Sequence, residues 1–410
     1  MRADYLLVGG GVAAASCAAR LREEGADGSI VVVGREPEPP YNRPPLSKDY
    51  LRGESSREQA LVQSPSWWVD NDVQLLTRTS VMRIDPGERT ARLSTKEDVS
   101  FDKALLATGA NVRRLRVEGG DLEGIHYVRA FGNSDALAAD VGEAERVVIV
   151  GGSYLGCELA ASLTALGKRC TILMQEPAAL ERGFGETVGG FFQRVLEDRG
   201  VQFRASDELA RFTGVDGRVG AVVTAGGDEL QCEVVAVAAG VMPDVMLARS
   251  AGVEVGETGG IACSAGLETS LPGVFAAGDM AEWHSERYGR SMRVEHWDVA
   301  REHGRTAALG MLGRGVAHDA LPYFWSELAD WALLEYVGVA PASGPGEPVL
   351  RGSLKHGEFL AFYLEEDGSV SAALSVGRSE DLEQARRLIG EHRAVERASL
   401  EDPDSDLASL

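Results

Sequence analysis

Two glycine-rich turns carry the chemistry this chain could perform. Gly9-Gly10-Gly11-Val12-Ala13-Ala14 follows an apolar run at 4–8, and Gly151-Gly152-Ser153-Tyr154-Leu155-Gly156 follows another at 146–150. In a strand–turn–helix unit, Gly9 permits the tight turn and Gly11 lets a pyrophosphate approach the backbone. Ala14 keeps a helix starting near Val12 close to the sheet, so phosphate charge meets free N–H groups and the positive helix end. An acid about twenty residues downstream accepts from a ribose hydroxyl, and Glu36, after the strand at 29–33 and Gly34-Arg35, occupies that place. The second turn keeps Gly151 and Gly156 but puts Ser153 at the middle position. The phosphate there must sit slightly differently or accept a bond from the serine hydroxyl. Glu176, after a strand at 170–173, is its ribose partner. A carboxylate accepts from a 2′-hydroxyl and repels a 2′-phosphate, which predicts NADH over NADPH; Arg182 is the nearby cation that could still reach a phosphate.

A third signal, Gly273-Val274-Phe275-Ala276-Ala277-Gly278-Asp279, lies downstream. Two turns in this order, followed by the third, imply two dinucleotides on one polypeptide, so that a nicotinamide can meet a flavin.

The elements that must position these residues suit that expectation. At 410 residues the chain exceeds one core and fits two or three domains. The fold class expected is α/β, with two Rossmann-like dinucleotide-binding domains and a C-terminal α+β domain built on an antiparallel sheet. Residues 1–110 and 242–320 are assigned to an FAD-binding domain, 111–241 to an NAD-binding domain and 321–410 to the C-terminal domain. In the last, 331–337, 349–354, 358–364 and 370–376 read as strands, with turns at His356-Gly357 and Asp367-Gly368. Ser379 is the expected N-cap of a final helix carrying Leu382, Ala385, Leu388 and Ile389 at helical spacing.

Composition limits the partners. With 41 basic and 63 acidic residues the formal charge is −22, which argues against nucleic acid or an anionic membrane. No apolar stretch approaches about eighteen residues, and the first strand begins almost at Met1, so no signal peptide is expected and the default location is cytoplasmic. The five cysteines, Cys17, Cys157, Cys170, Cys232 and Cys263, form no C-x-x-C pair. Neither a metal site nor a redox disulfide is expected, and Cys17 and Cys157 read as small buried apolar side chains.

Tyr41-Asn42-Arg43-Pro44-Pro45-Leu46-Ser47-Lys48 and Arg293-Val294-Glu295-His296-Trp297-Asp298 resemble signatures of the FAD-containing ferredoxin reductases of oxygenase systems. This group is of the putidaredoxin- and rubredoxin-reductase type and is related to apoptosis-inducing factor. The resemblance runs from residue 1 to the C-terminus. It implies FAD and NADH as cofactors and a ferredoxin or rubredoxin as electron acceptor, and it allows a homodimer. Arg43 is implied to neutralise the FAD pyrophosphate, Arg129 to make a second FAD contact, and Asp279 beside Gly278 to bond the ribityl chain. Met280 would open a helix aimed at the flavin. Trp325, Trp297 and His296 are implied to flank the ring; Arg35, Val81, Ala107, Thr108, Gly109, Gly152, Tyr154, Leu155 and Gly240 complete the implied cofactor contacts. Lys48 is implied to lie near flavin N5, paired with Glu158, where a fixed ammonium stabilises arriving electron density.

Two other readings share this pattern: an NADH oxidase or quinone reductase, and a signalling protein of the apoptosis-inducing-factor type. Because ferredoxins are usually acidic, docking would need a local basic patch, for which Arg287, Arg290 and Arg293 form the densest cluster.

Overall fold

The computed structural model describes all 410 residues, which group into two compact units. One unit comprises Met1–Arg43, Arg57–Asn111 and Val241–Pro322. Its main sheet places Val73–Leu76, Ile30–Val33, Arg2–Val8 and Asp98–Leu106 side by side in parallel, with Val274–Ala276 also parallel to Asp98–Leu106. Ile30–Val33 is an unbroken aliphatic run buried at every residue, as a strand covered on both faces must be. The antiparallel pair Val81–Asp85 and Thr90–Leu93 extends the other edge. Val8 lies level with Val33 and Leu106, and Leu106 with Ala276. The residues that follow each strand therefore emerge along one carboxyl edge, where open α/β sheets bind ligands.

The helices Val12–Glu23 and Trp297–Met311 cross within this unit on small residues. A Cβ on Gly304 would stand 2.1 Å from the Ala13 carbonyl oxygen.

The other unit comprises Pro44–Ser56, Val112–Gly240 and Tyr323–Leu410. Its parallel sheet runs Gln202–Arg204, Arg169–Leu173, Arg146–Val150, Val234–Val237, Ile125–His126. The same register logic recurs, with Val150 level with Leu173 and Val237. The C-terminal residues form a five-stranded antiparallel sheet ordered Tyr323–Leu328, Ala332–Gly338, Val370–Val376, Glu358–Leu364, Val349–Ser353. Val370–Val376 is buried throughout, with Ser379–Glu391 packed on it through Leu382, Ala385, Leu388 and Ile389. No helix is long and apolar enough to cross a membrane.

Several local expectations are corrected. No helix follows Asp279: Ala281–Ser285 is a strand between Ile261–Cys263 and Arg290–Met292. The buried Trp283 and the buried Glu282, whose carboxylate accepts from the N–H groups of Glu257 and Thr258, commit this segment to a sheet. The helix start of that region is instead at Trp297, with His296 as its extended N-cap. Ser379 is the first helical residue rather than the cap, and its hydroxyl bonds Glu335. The antiparallel meander Leu209–Val215, Arg218–Thr224, Glu229–Gln231 and the strand Tyr323–Leu328 were not expected from the sequence. Nor was the assignment of Pro44–Ser56 to the second unit.

Replacing Gly304 with Ala should force the two helices apart. We expect a loss of stability of about 1–3 kcal/mol, read as an earlier first transition in thermal melting, with the far-UV spectrum of the folded protein unchanged.

Candidate active site

In the first unit the carboxyl edge gathers Gly9, Gly34-Arg35-Glu36, Ala107-Thr108-Gly109 and Gly278-Asp279. Gly9 has φ +141° and a Cβ there would meet the Ala107 carbonyl oxygen at 2.0 Å, so only glycine closes this turn. At Gly11, by contrast, the space a Cβ would fill is open. That opening lies directly before the Val12–Glu23 helix and fits a pyrophosphate. Ala14 is buried in the first turn of this helix.

Glu36 is doubly engaged, accepting from Tyr41 and, at 2.5 Å, from Arg43. Burial pushes its carboxyl up, but the Arg43 charge and the bonds from Arg43 and Tyr41 outweigh this and hold Glu36 below the ordinary carboxylate range. Arg35 reaches Asn111 Oδ1 at 2.8 Å and Asp244 at 3.3 Å. Thr108 donates to the Asp244 carbonyl at 2.6 Å. Gly278, at φ +80°, donates its N–H to Nδ1 of the fully buried His303. Burial holds that imidazole neutral, well below its ordinary pKa.

Trp297 donates to Asn42 Oδ1 at 2.9 Å, tying together the two motif segments that carry the family resemblance. Burial pulls His296 down to about 4 despite the opposing charge of Asp279, so it is neutral near pH 7. Val81 is half-buried at the start of its strand.

The second unit repeats the design. Gly151 has φ +113°, and a Cβ there would meet the Ala238 carbonyl oxygen at 2.5 Å; one on Gly156 would meet the Gly151 carbonyl oxygen at 2.0 Å. Ser153 caps the Tyr154–Ala165 helix, but its hydroxyl donates to the Ala238 carbonyl at 3.1 Å. Of the two outcomes expected for this serine, its hydroxyl is thus already committed to the protein. Gly10 abuts Gly34, and Gly152 correspondingly abuts Met174. By that equivalence Glu176 occupies the place of Glu36. Glu176 forms an ion pair with Arg182, whose side chain is 79% exposed. Gly240, at φ +87°, emerges on the same edge. Tyr154 turns inward against Phe184 and Phe324, and Leu155 is half-buried.

Lys48 and Glu158 do pair, at 2.8 Å, and both are buried. Glu158 also accepts from Ser47 and Ser326, at 2.6 Å each. Sequence reasoning did not foresee these partners, nor Tyr41 on Glu36. Arg129 and Trp325 both belong to the second unit, Arg129 just before the Phe131–Glu143 helix and Trp325 stacked on Tyr323 at 6.2 Å.

Of the three arginines expected to dock an acidic carrier, two are ion-paired within the chain. Arg287 pairs with Asp319 at 2.8 Å, and Arg293 pairs with Glu295 and donates to the Asp279 carbonyl at 2.9 Å. The side chains of Arg287 and Arg293 are only 20% and 16% exposed.

All five cysteines are free. Burial pushes the thiols of Cys170 up to about 11 and of Cys232 and Cys263 to about 12, and those of Cys17 and Cys157 higher still. None is poised as a thiolate.

Two dinucleotide sites of one design, an ion-paired lysine buried beside the second, and a separate antiparallel domain define a pyridine-nucleotide-dependent oxidoreductase. The chain belongs to the pyridine nucleotide-disulphide oxidoreductase family, whose sequence pattern matches residues 3–304, and residues 323–410 match a Reductase C-terminal domain. It is 35% identical to the ferredoxin–NAD(+) reductase component of the anthranilate 1,2-dioxygenase system of Burkholderia cepacia, covering 100% of both chains. It is 34% identical to the corresponding biphenyl dioxygenase component of Paraburkholderia xenovorans, covering 98% of this chain and 97% of that one. Among solved structures, a ferredoxin reductase from Rhodopseudomonas palustris superposes with a TM-score of 0.94 at 29% identity, over 99% of this chain and 98% of that one. The reductase of a covalent putidaredoxin reductase–putidaredoxin complex gives 0.93 at 30% identity, over 99% and 97%.

Replacing Glu176 with Ala removes one charged acceptor from a ribose hydroxyl. We expect kcat/KM for NADH to fall roughly tenfold and that for NADPH to rise. The rise should vanish when Arg182 is also replaced by Ala, as coenzyme-dependent steady-state kinetics would show. Iodoacetamide at about pH 8 should leave Cys17, Cys157, Cys170 and Cys232 unmodified in the native protein, by intact mass, with NADH-dependent activity unchanged.

Proposed function

We propose that the protein takes reducing equivalents from NADH at a bound FAD and delivers electrons one at a time to a ferredoxin- or rubredoxin-type carrier serving an oxygenase. The bound flavin supplies the conversion between a two-electron donor and a one-electron acceptor. The observation that carries this reading is the duplicated carboxyl-edge site, each copy with its own acid, in a chain whose full length resembles reductase components of dioxygenase systems.

In this reading residues 1–110 with 242–320 bind FAD, 111–241 bind NADH, and 321–410 form the C-terminal reductase domain. The open backbone at Gly11 and the Arg43 guanidinium receive the FAD pyrophosphate, and Glu36 holds a ribose. Asp279 bonds the ribityl chain, while Trp297, His296 and Trp325 border the ring. The Gly151 turn and Glu176 do the same work for NADH. Lys48, fixed by Glu158, places a positive charge that stabilises the reduced ring. No side chain is required as a general acid or base. A cytoplasmic location follows from the need for an NADH pool.

The protein purified with FAD should be yellow, and NADH should bleach the flavin band anaerobically. A [2Fe–2S] ferredoxin should then be reduced in proportion to NADH consumed. Lys48→Met should bind FAD normally yet slow bleaching about tenfold or more. A protein that takes up no FAD ends this reading.

A further inference from the structure

Glu158 is held more firmly than an ion pair requires. Its Oε1 accepts from Lys48 Nζ at 2.8 Å and from the Ser326 hydroxyl at 2.6 Å, while Oε2 accepts from Ser47 Oγ at 2.6 Å. Ser47, Lys48, Glu158 and Ser326 are exposed by only 3%, 5%, 8% and 2%. Three donors, two from the adjacent Ser47 and Lys48 and one from the distant Ser326, thus hold one buried carboxylate.

The clamp is itself supported. The Ser47 carbonyl accepts from Ser162 Oγ at 2.7 Å, and Ser162 accepts from Arg52 at 3.1 Å. The Lys48 ammonium has only a long contact of 3.4 Å to the Pro44 carbonyl besides Glu158. Its position therefore follows that of the carboxylate.

Ser326 stands out by its surroundings. In Tyr323–Leu328 the inward positions are Phe324, Ser326 and Leu328, a serine between two large apolar side chains. A buried hydroxyl at such a position costs stability unless it is bonded, and its bond is to Glu158.

We infer that Ser326 is a positioning residue for electron input: the C-terminal sheet, through this one hydroxyl, sets the Glu158 carboxylate and through it the Lys48 ammonium. The inference rests on the role proposed above for Lys48.

The test compares Ser326→Ala, Ser326→Thr and Ser326→Cys with Lys48→Met in the FAD-loaded protein. The measurements are the limiting rate of flavin bleaching by NADH in anaerobic stopped flow, the flavin midpoint potential and the melting temperature. Ser326→Ala should bleach about tenfold more slowly, with KM for NADH unchanged and the midpoint potential shifted negative. Ser326→Thr, which keeps the hydroxyl, should return both quantities to within about twofold of the parent, and Ser326→Cys, of similar shape but a weak donor, should not. Ser326→Ala matching the parent in rate and potential while Lys48→Met is slow overturns the Ser326 role and leaves that of Lys48 standing. Lys48→Met matching the parent overturns both. If Ser326→Ala melts too early to assay, the Thr and Cys variants decide: a fast Thr with a slow Cys supports the role, and equal rates overturn it.

Discussion

The close approach of a glycine to a carbonyl on the neighbouring strand is the constraint from which both nucleotide sites follow. At Gly9 a Cβ would lie 2.0 Å from the Ala107 oxygen, and at Gly151 it would lie 2.5 Å from the Ala238 oxygen. No side chain fits either place, and both glycines adopt positive φ. The turn so formed brings the next helix back over the sheet with its free N–H groups at the carboxyl edge. Parallel register then delivers everything else to that edge, since Val8, Val33, Leu106 and Ala276 end level in one sheet and Val150, Leu173 and Val237 in the other.

Charge is placed with similar economy. Buried ionised groups are expensive unless paired and bonded, and the ones near these sites are. Glu36 is satisfied by Tyr41 and Arg43, Glu158 by Lys48 and two serines, and Glu282 by the backbone of Glu257 and Thr258. The histidines near the Gly278 turn go the other way and are held neutral by burial. Around the proposed FAD contacts, then, the local charges sit on groups whose geometry is fixed, which is the arrangement electrostatic preorganisation needs.

The family takes its name from a redox disulfide, and this chain has none: its cysteines are free, scattered and raised by burial far from thiolate reactivity. What remains of the family's equipment is the pair of dinucleotide folds. Glu158 is the one charged residue in the helix that follows the second turn, and it is paired with the buried Lys48 ammonium.

Much of this was legible in the sequence because the signals are local. Strand, glycine turn, helix, strand and acid follow one another within about forty residues, and hydrophobic runs and turn residues report short-range geometry. Arg146–Val150, Glu358–Leu364 and Val370–Val376 fall where their residues predict. What the sequence could not decide depends on partners distant in the chain. The resemblance implied a helix opening at Met280 after the glycine turn, yet two flanking strands make Ala281–Ser285 a strand. The arginines between 287 and 293 read as a basic patch, yet Asp319 and Glu295 neutralise two of them. Ser47 and Ser326 meet Glu158 across separations of 111 and 168 residues. Spacing along a chain carries no record of such meetings, because they are set by how helices and sheets pack, and only packing brought the two hydroxyls to one carboxylate.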